Sequence, residues 1–373
     1  MTSPYPESNL GDMTSLPEIF RCVLAGFDTI QAAYYFVPSN QGEFQFEPLV
    51  VQRDRLRLDK ARLGEVLTIG GETLLLKSHG SKSGYPLILE HAHFTAECGE
   101  FNNPSFFVTY RSEALWHLGA AALHNFFLHW ADAVGLSVVR PETLSRVDFA
   151  FDYYLPTVDF TRDGMVSVST KDATHREHRR DQTLSFGRGD VMLRIYDKVA
   201  EIEQQSSKLW LFELWGEKAG VWRIEWQVRK PLLKRFSLRQ FDDLFSGYGD
   251  LLMYLASEHD SLRIPSGDSN RSRWPVHPLW DDLLDRIVSF PAQGVYREID
   301  EKAVLAERKR RVAISIYGYL KHLAALLSIE YKSDEVSLGA AQASLRGLIN
   351  DLHKPLDWYT GVASKRDKIR LGG

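Results

Sequence analysis

Three segments decide the fold of this chain: LSRVDFAFDYY (144–154), VMLRIYDK (191–198) and VWRIEWQVR (221–229). Apolar and polar residues alternate in each segment with a period of two, which is the pattern of a β-strand with one apolar and one polar face. The sequence therefore predicts three strands that share one charged face. The polar positions on that face are Arg146, Asp148, Asp152, Arg194, Tyr196, Lys198, Arg223, Glu225, Gln227 and Arg229.

The order of the surrounding segments predicts an α+β protein. A hairpin (73–90), a strand (105–110) and one long helix (112–135) precede the three strands, with Ser112 as its N-cap and Gly135 at its end. The order hairpin (183–198), strand (221–229) and helical segment (237–258) then repeats it. We interpret this order as a pseudo-duplicated hairpin–strand–helix unit that forms an antiparallel β-sheet with helices packed on one face.

The composition of the chain changes at two places and predicts three regions. Residues 1–25 begin with a stretch rich in Pro, Ser and Asn, which is typical of a flexible tail. Residues 26–256 contain the predicted sheet. Residues 257–373 begin with a connector rich in Ser, Pro and Arg and continue as helical patterns, so we expect a mostly helical C-terminal region.

Length and composition exclude several classes of protein. The chain has 373 residues with ordinary globular composition, and no apolar run approaches the roughly 20 residues of a membrane span. Cys22 and Cys98 are too few for a disulfide framework. The N-terminus lacks the order of a signal peptide. We therefore expect a cytoplasmic protein with no membrane partner.

The charge distribution favours a phosphate-containing partner more than the net charge does. The formal net charge is −4, but residues 223–239 carry six cations against the single acid Glu225. A locally basic face on an acidic chain is compatible with binding phosphate groups. A charge run of this kind also occurs on ordinary solvated surfaces.

The carboxylates of the charged face are candidates to hold a metal ion. Asp148 and Asp152 lie four residues apart on one strand, roughly 13 Å from each other. Asp148 and Glu225 are therefore the better pair of direct ligands. If the strand curls, Asp152 is a third ligand; if it does not, Asp152 contacts the ligands without binding the ion. Carboxylates favour Mg²⁺ or Mn²⁺ over zinc.

Tyr196 is the candidate nucleophile of the same face, with Arg194 and Lys198 beside it. An unperturbed tyrosine has a pKa of about 10 and is a poor nucleophile, but neighbouring cations would favour its phenolate. The alternative to a catalytic site is a solvated sheet face whose charged residues only form cross-strand pairs. Spacing alone does not decide between the two.

The segments RVDFAFD, LRIYDK and WRIEWQVR, with a Gly-containing hairpin before the second, resemble the replication initiation factor family. This family comprises rolling-circle initiators of plasmids and phages, with the related relaxases of conjugative elements. The resemblance spans roughly residues 30–290, including the LW of SEALW and the WPVHPLW stretch, and it is most specific in IYDK and IEWQVR.

The resemblance implies roles for individual residues. Tyr196 falls at the nicking tyrosine of the family, and Asp148 and Glu225 fall at the acidic metal positions, with Asp152 a weaker match. Arg194, Lys198 and Arg223 fall at basic positions beside them and would stabilise the charge of the reacting phosphate. Such enzymes nick one DNA strand, remain on its 5′ phosphate through the tyrosine, and leave a 3′ hydroxyl.

The resulting hypothesis is a metal-dependent nicking and rejoining enzyme, in residues 26–256, that initiates rolling-circle replication or conjugative transfer. Its partners would be origin DNA, single-stranded or extruded from supercoiled duplex, together with a host helicase and polymerase. The alternatives are a non-catalytic origin-binding protein and a metal-dependent hydrolase that uses water. The oligomeric state stays open, with a homodimer as one option.

His91 and His93 form a second candidate metal motif. Two histidines two residues apart share a strand face, and the triplet His91-Ala92-His93 resembles the metal motif of another class of nicking enzymes. The third ligand and the tyrosine of that class lie closer in sequence than Tyr196 lies here. The simpler interpretation is a surface or half-buried pair.

Overall fold

A computed structural model describes residues 20–60, 64–169, 171–177, 180–293 and 301–370. Most of the predicted tail, residues 1–19, lies outside this described part. The first strand begins at Arg21, so residues 21–25 belong to the sheet and not to a tail. The tail prediction therefore extends too far.

The main feature of the fold is an antiparallel sheet of eleven strands in the order β2-β3-β4-β5-β6-β1-β7-β12-β11-β10-β9. A separate pair is formed by β8 and β13. The strands are β1 (Arg21–Pro38), β2 (Glu65–Ile69), β3 (Glu72–Leu76), β4 (Leu87–Glu90), β5 (Phe94–Cys98), β6 (Phe106–Tyr110), β7 (Leu136–Tyr154), β8 (Met165–Ser167), β9 (Asp172–Glu177), β10 (Arg180–Phe186), β11 (Val191–Asp197), β12 (Val221–Arg229) and β13 (Asp260–Leu262).

The strand order contains the predicted pseudo-duplication, although the hairpin next to β6 is β4–β5 and not β3–β4, which is the hairpin predicted at residues 73–90. The long strands β1 and β7 pair with each other at the centre of the sheet. β6 and then the hairpin β4–β5 follow β1 on one side, while β12 and then the hairpin β10–β11 follow β7 on the other. The sequence analysis did not identify β5, because its alternating segment FTAEC is only five residues long.

The helices are α1 (Phe46–Leu58), α2 (Ser112–Leu118), α3 (Ala120–Ala133), α4 (Lys198–Glu201), α5 (Trp210–Trp215), α6 (Lys230–Arg235), α7 (Phe241–Tyr254), α8 (Pro278–Val288), α9 (Glu301–Tyr331), α10 (Leu338–Leu352) and α11 (Pro355–Arg370). The single long helix predicted for residues 112–135 is thus two helices. Gly119 separates them at φ +83° and ψ 151°, a conformation that glycine adopts without the steric cost of a Cβ. Ser112 is the first residue of α2 and not its N-cap.

The core lies between the apolar face of the sheet and the longer helices. Phe127 of α3 contacts the rings of Tyr34 and Phe94, and Trp280 of α8 contacts Trp226 of β12. Tyr248 of α7 packs on Phe149 of β7. These contacts agree with an α+β protein whose larger helices occupy one face of an antiparallel sheet.

Two short helices cover part of the opposite face. Trp116 of α2 and Trp215 of α5 each donate an indole N–H to a carboxylate that projects from the sheet. This end of the charged face is therefore buried. The predicted packing on a single face describes α3, α7 and α8 but not these two helices.

The chain forms two compact units, residues 1–298 and 299–373. The predicted boundary lay after residue 256, within the first unit. Residues 257–293 stay with the sheet because β13 pairs with β8 and because α8 buries Leu279, Trp280, Leu283 and Ile287. The second unit contains α9, α10 and α11.

One helix of the described part is long and apolar enough to cross a membrane by length and composition. It is the segment Val312–Tyr331 of α9, of which 11% is buried. The expectation that no apolar run approaches 20 residues is therefore wrong for this segment. The polar residues Lys321, His322 and Glu330 interrupt the apolar residues of this segment, so the sequence shows no continuous apolar run there.

Candidate active site

Strands β7, β12 and β11 lie side by side and place the predicted residues on one face. Across β11 and β12, Arg194 faces Glu225 and Tyr196 faces Arg223. Across β12 and β7, Arg223 faces Asp152. Since facing residues of antiparallel strands have neighbouring Cβ atoms, the register groups the charged residues into two neighbouring clusters.

The first cluster, which we call the tyrosine site, centres on the hydroxyl of Tyr196. That hydroxyl donates a hydrogen bond of 2.7 Å to Oε2 of Glu225, and the tyrosine is 8% exposed. Burial raises the pKa of Tyr196 well above its ordinary value, and the Glu225 carboxylate adds to the rise. The expectation that neighbouring cations favour the phenolate is therefore wrong for this arrangement, in which the phenol keeps its proton and Glu225 lies ready to accept it.

Arg194 completes the hydrogen bonding of Glu225. Its Nη2 donates to Oε1 of Glu225, so the carboxylate has one oxygen on the arginine and one on the tyrosine. The buried Nε of Arg194 has no hydrogen-bond partner among the described residues. An N–H donor without a partner beside a tyrosine suits an additional anionic oxygen.

A cleft of about 340 Å³ opens next to Tyr196 and Arg194. Its other lining residues are Gln182, Thr183, Asp197, Ala200, Glu201, Gln204 and Gln205. The volume lies within the range of small-molecule sites, which is roughly 300–1,000 Å³. The tyrosine site thus borders a cleft of the size that accommodates a small molecule.

Asp148 lies on the same face, opposite Gln227 and therefore diagonal to Glu225. Arg146 holds it with two hydrogen bonds, 2.8 Å from Nε to Oδ1 and 2.5 Å from Nη2 to Oδ2. Burial raises the pKa of Asp148 to about 6, against the lowering effect of Arg146, and Glu225 contributes to the rise. A cation at this point would relieve the repulsion between the two carboxylates.

The second cluster, which we call the buried ion network, joins Asp28, Asp152 and Arg223. The guanidinium of Arg223 donates to both oxygens of Asp152, at 2.6 and 2.8 Å, and to Oδ1 of Asp28 at 2.6 Å. Arg223 is completely buried and Asp152 is 0% exposed. The indole of Trp215 donates a further hydrogen bond of 2.8 Å to Asp152.

The charges of the buried ion network are firmly held. Burial alone would raise the pKa of Asp28, but Arg223 and Lys208 outweigh it and hold the pKa well below its ordinary value. Burial likewise opposes the charge of Arg223, yet the two aspartates raise its pKa well above the usual range. The hydrogen-bonding groups of Arg223 and Asp152 already have partners, and these contacts hold neighbouring strands together. Neither residue is therefore available to a phosphate or a metal ion.

Lys198 lies in a different position from the one predicted. β11 ends at Asp197, so Lys198 is the first residue of α4. Its Nζ donates to Oε2 of Glu201 at 2.5 Å and lies 5.4 Å from the centre of the Tyr196 ring. Burial and then Arg223 lower the pKa of Lys198. The ammonium group of Lys198 therefore lies over the ring of Tyr196.

The three predicted metal ligands do not come together. Among the residues that the structure describes, no group of three Asp, Glu, His or Cys side chains could hold a metal ion. Asp152 does not fit because three N–H donors occupy its oxygens. The oxygens of Asp148 and Glu225 also accept hydrogen bonds, from Arg146 and from Arg194 and Tyr196, so a cation between them would displace some of these donors. The two carboxylates repel each other across adjacent strands, and such a cation would relieve that repulsion.

The histidine pair is occupied by other contacts. Nε2 of His91 lies 3.2 Å from Oε2 of Glu72, and its Nδ1 accepts a hydrogen bond from the backbone N–H of His93. Both rings pack on Phe126. The arrangement agrees with the half-buried pair that was the simpler interpretation.

Three residues that the sequence analysis did not assign to the site matter in the structure. Arg146 has a signal in the sequence, because it precedes Asp148 by two residues on the same strand face. Glu201 lies three residues after Lys198, one turn along α4, whereas Asp28 has no signal because the pairing of β1 with β7 brings it in from a distant part of the chain.

The comparisons with known proteins come next to this geometry. No protein-family model and no curated protein matches the chain. Among solved structures, the chain is similar to a rolling circle replication initiator protein from Geobacillus stearothermophilus, with 16% sequence identity and a TM-score of 0.43. The similarity covers 73% of this chain and 99% of that chain.

Proposed function

We propose that this chain nicks and rejoins one strand of DNA through a covalent bond between Tyr196 and a 5′ phosphate. The observation that carries the proposal is the hydrogen bond from the Tyr196 hydroxyl to Glu225 beside an open cleft. The sequence resemblance to rolling-circle initiators supports the same chemistry. The biological role would be to initiate rolling-circle replication or conjugative transfer of a mobile element.

The cleavage step transfers one proton and exchanges one ester bond. Glu225 accepts the phenolic proton while the Tyr196 oxygen attacks phosphorus, and the bond from phosphorus to the 3′ oxygen breaks. The leaving 3′ oxygen takes a proton from water, and Glu225 returns its proton to water, so that the net change is the exchange of one ester bond for another. Because a phosphotyrosine ester replaces a phosphodiester, the reverse reaction can reseal the strand.

Arg194 would bind the reacting phosphate. Arg194 lines the same cleft as Tyr196, and its buried Nε has no hydrogen-bond partner in the described part of the chain. A guanidinium donor aimed at a phosphate oxygen stabilises the charge that grows there during attack. Lys198 would contribute only at longer range, because Glu201 holds its ammonium group.

A divalent cation, Mg²⁺ or Mn²⁺, belongs to the proposal through Asp148 and Glu225. When bound, such an ion supplies a Lewis acid that polarises a phosphoryl oxygen. Arg223 and Asp152 have a supporting role in place of the catalytic roles expected from the sequence. The partners would be origin DNA and, at the released 3′ hydroxyl, a polymerase with its helicase, in the cytoplasm.

The test is covalent capture of a 3′-labelled single-stranded DNA pool of random sequence, with Mn²⁺, on a denaturing gel. We expect label to move with the protein and to disappear in Tyr196→Phe, which should keep its DNA affinity in a fluorescence anisotropy assay. The matched control is Tyr154→Phe, which changes a half-buried tyrosine on β7, separated from the strand of Tyr196 by β12.

Two results would overturn the proposal. Cleavage without a labelled protein band would favour the hydrolase that uses water. Binding of DNA without any cleavage, by a protein that stays folded, would favour the non-catalytic origin-binding protein. Sequencing of the captured DNA would identify the preferred target.

A further inference from the structure

The helix α9 carries a row of apolar residues that are largely uncovered within the second unit. Val312, Ile316, Tyr319 and Leu326 are 58%, 48%, 77% and 53% exposed, and Leu323 continues the row between them. The spacing of these five positions is four, three, four and three residues. That alternation is the heptad pattern by which one helix packs along another.

A different row of α9 already has a partner within the second unit. Leu320 and Leu327 are 8% and 6% exposed, while Ala341 of α10 is 1% exposed. Leu320 and Leu327 lie about 70° around the helix from the middle of the exposed row, since each residue turns an α-helix by about 100°. The contact between α9 and α10 thus leaves the exposed row unpaired.

The exposed apolar surface continues onto α10. Leu348, Ile349 and Leu352 are 49%, 49% and 79% exposed. Two helices with this much uncovered apolar surface form half of a helical bundle, because a stable bundle buries the apolar stripes of all its helices. The missing half needs helices of matching spacing.

We propose that the occupant is a second copy of this chain, with the two α9 helices antiparallel. The ends of α9 carry opposite charge. Residues 308–311 are four consecutive cations, while Glu330 and the following Asp334 and Glu335 make the other end acidic. An antiparallel pair brings each basic end beside an acidic end, whereas a parallel pair would set the two basic ends against each other.

The heptad pattern also fixes the register of the pair. If Tyr319 of one copy faces Leu323 of the other, Ile316 faces Leu326 and the row is used symmetrically. The interface is then isologous, as a two-fold axis requires.

A lipid bilayer is the competing occupant, because Val312–Tyr331 is long enough to span one. Lys321 lies near the middle of that segment. A lysine at the centre of a membrane helix strongly disfavours insertion into the bilayer. In the antiparallel pair, Lys321 lies on the side of the helix opposite the exposed row and stays in water.

The first test is the mass of the full-length protein by light scattering at micromolar concentration, without DNA. We expect twice the 42.6 kDa of one chain. The double variant Ile316→Glu with Leu326→Glu should have the mass of one chain and unchanged helicity. The matched control Ile314→Glu alters a residue that is 59% exposed on the opposite side of α9, and should keep the double mass.

The second test measures orientation by disulfide formation between two single variants. A mixture of Ile316→Cys and Leu326→Cys should form a cross-linked pair under mild oxidation, and Ile316→Cys alone should not. Cross-linking of Ile316→Cys with itself would indicate a parallel pair and overturn the proposal.

Two further results would also overturn it. One is a wild-type protein with the mass of a single chain, whether or not it sediments with phosphatidylglycerol vesicles; sedimentation would assign the row to a membrane. The other is loss of the double mass in Ile314→Glu, because that variant leaves the exposed row intact.

Discussion

Asp148 should make the stability of this protein fall as the pH rises. Its pKa is raised from 3.8 to about 6, so the folded chain binds the proton more tightly than the unfolded chain does. The corresponding stability is fully present below about pH 4 and is lost as the pH rises through 6. A difference of about two pKa units corresponds to about 3 kcal/mol, and roughly half of it is lost between pH 5 and pH 8.

The perturbation is Asp148→Asn, which cannot ionise. We expect the free energy of unfolding of the wild type to fall by about 1.4 kcal/mol more than that of the variant between pH 5 and pH 8. Urea denaturation in EDTA measures the free energy of unfolding of both proteins at pH 5 and at pH 8, and the two pH-dependent changes are then compared. The control is Asp285→Asn, which alters an exposed carboxylate of α8 and should follow the wild-type pH profile.

The same pair of proteins tests the cation site. Added Mn²⁺ should raise the melting temperature of the wild type at pH 7.5, because a cation removes the repulsion between Asp148 and Glu225 and binding to the folded state stabilises it. Asp148→Asn should respond much less. In the pH experiment, the same change in the free energy of unfolding for wild type and Asp148→Asn between pH 5 and pH 8 would refute the assignment of the raised pKa to Asp148.

Three further changes test other parts of the structure. Glu225→Gln keeps the shape of the side chain but removes the proton acceptor of Tyr196, so strand cleavage should slow by about 10²–10⁴-fold while circular dichroism stays the same; a normal rate would contradict its role as base. Arg223→Met leaves two buried aspartates without their cation and should cost about 3–5 kcal/mol in urea denaturation, and a loss below about 1 kcal/mol would mean that the buried ion network is not a support. Gly119→Ala forces an L-residue to φ +83° and should lower stability by about 1 kcal/mol, whereas Gly347→Ala, in open space on α10, should raise it by a similar amount.

The polar face of the sheet could be predicted because the period of a strand is two. Once β7, β11 and β12 are identified as strands, Asp148, Tyr196 and Glu225 must project from the same side. The α+β class follows for the same reason, since strands of alternating pattern precede helices of periodic pattern in both halves.

The partner of each charged residue could not be predicted. Arg223 was expected beside a phosphate, but it contacts Asp152 and Asp28. Asp28 belongs to β1, whose pairing with β7 depends on tertiary structure and on bulges that the alternating pattern does not reveal. The pKa of Tyr196 has the same origin, because its burial depends on neighbours from distant parts of the chain.

The helix boundary at Gly119 also could not be predicted from the local sequence. The apolar periodicity continues across Gly119, so the sequence alone gives no reason to break the helix there. The break follows from the contacts of α2, in which Ser112 and Trp116 donate hydrogen bonds to Asp28. These contacts fix α2 over the charged face, while α3 continues over the apolar core.

The central pairing of β1 with β7 constrains how a newly made chain can fold. Residues 21–38 can form their central pairing only after residues 136–154 have been synthesised, and β7 in turn needs residues 221–229. Pairings over such sequence separations close slowly, and an unpaired β1 presents a sheet edge to other molecules. A nascent chain would thus stay vulnerable to aggregation until most of its first unit has left the ribosome, and the amide hydrogens of β1 and β7 should be the slowest to exchange in the finished protein.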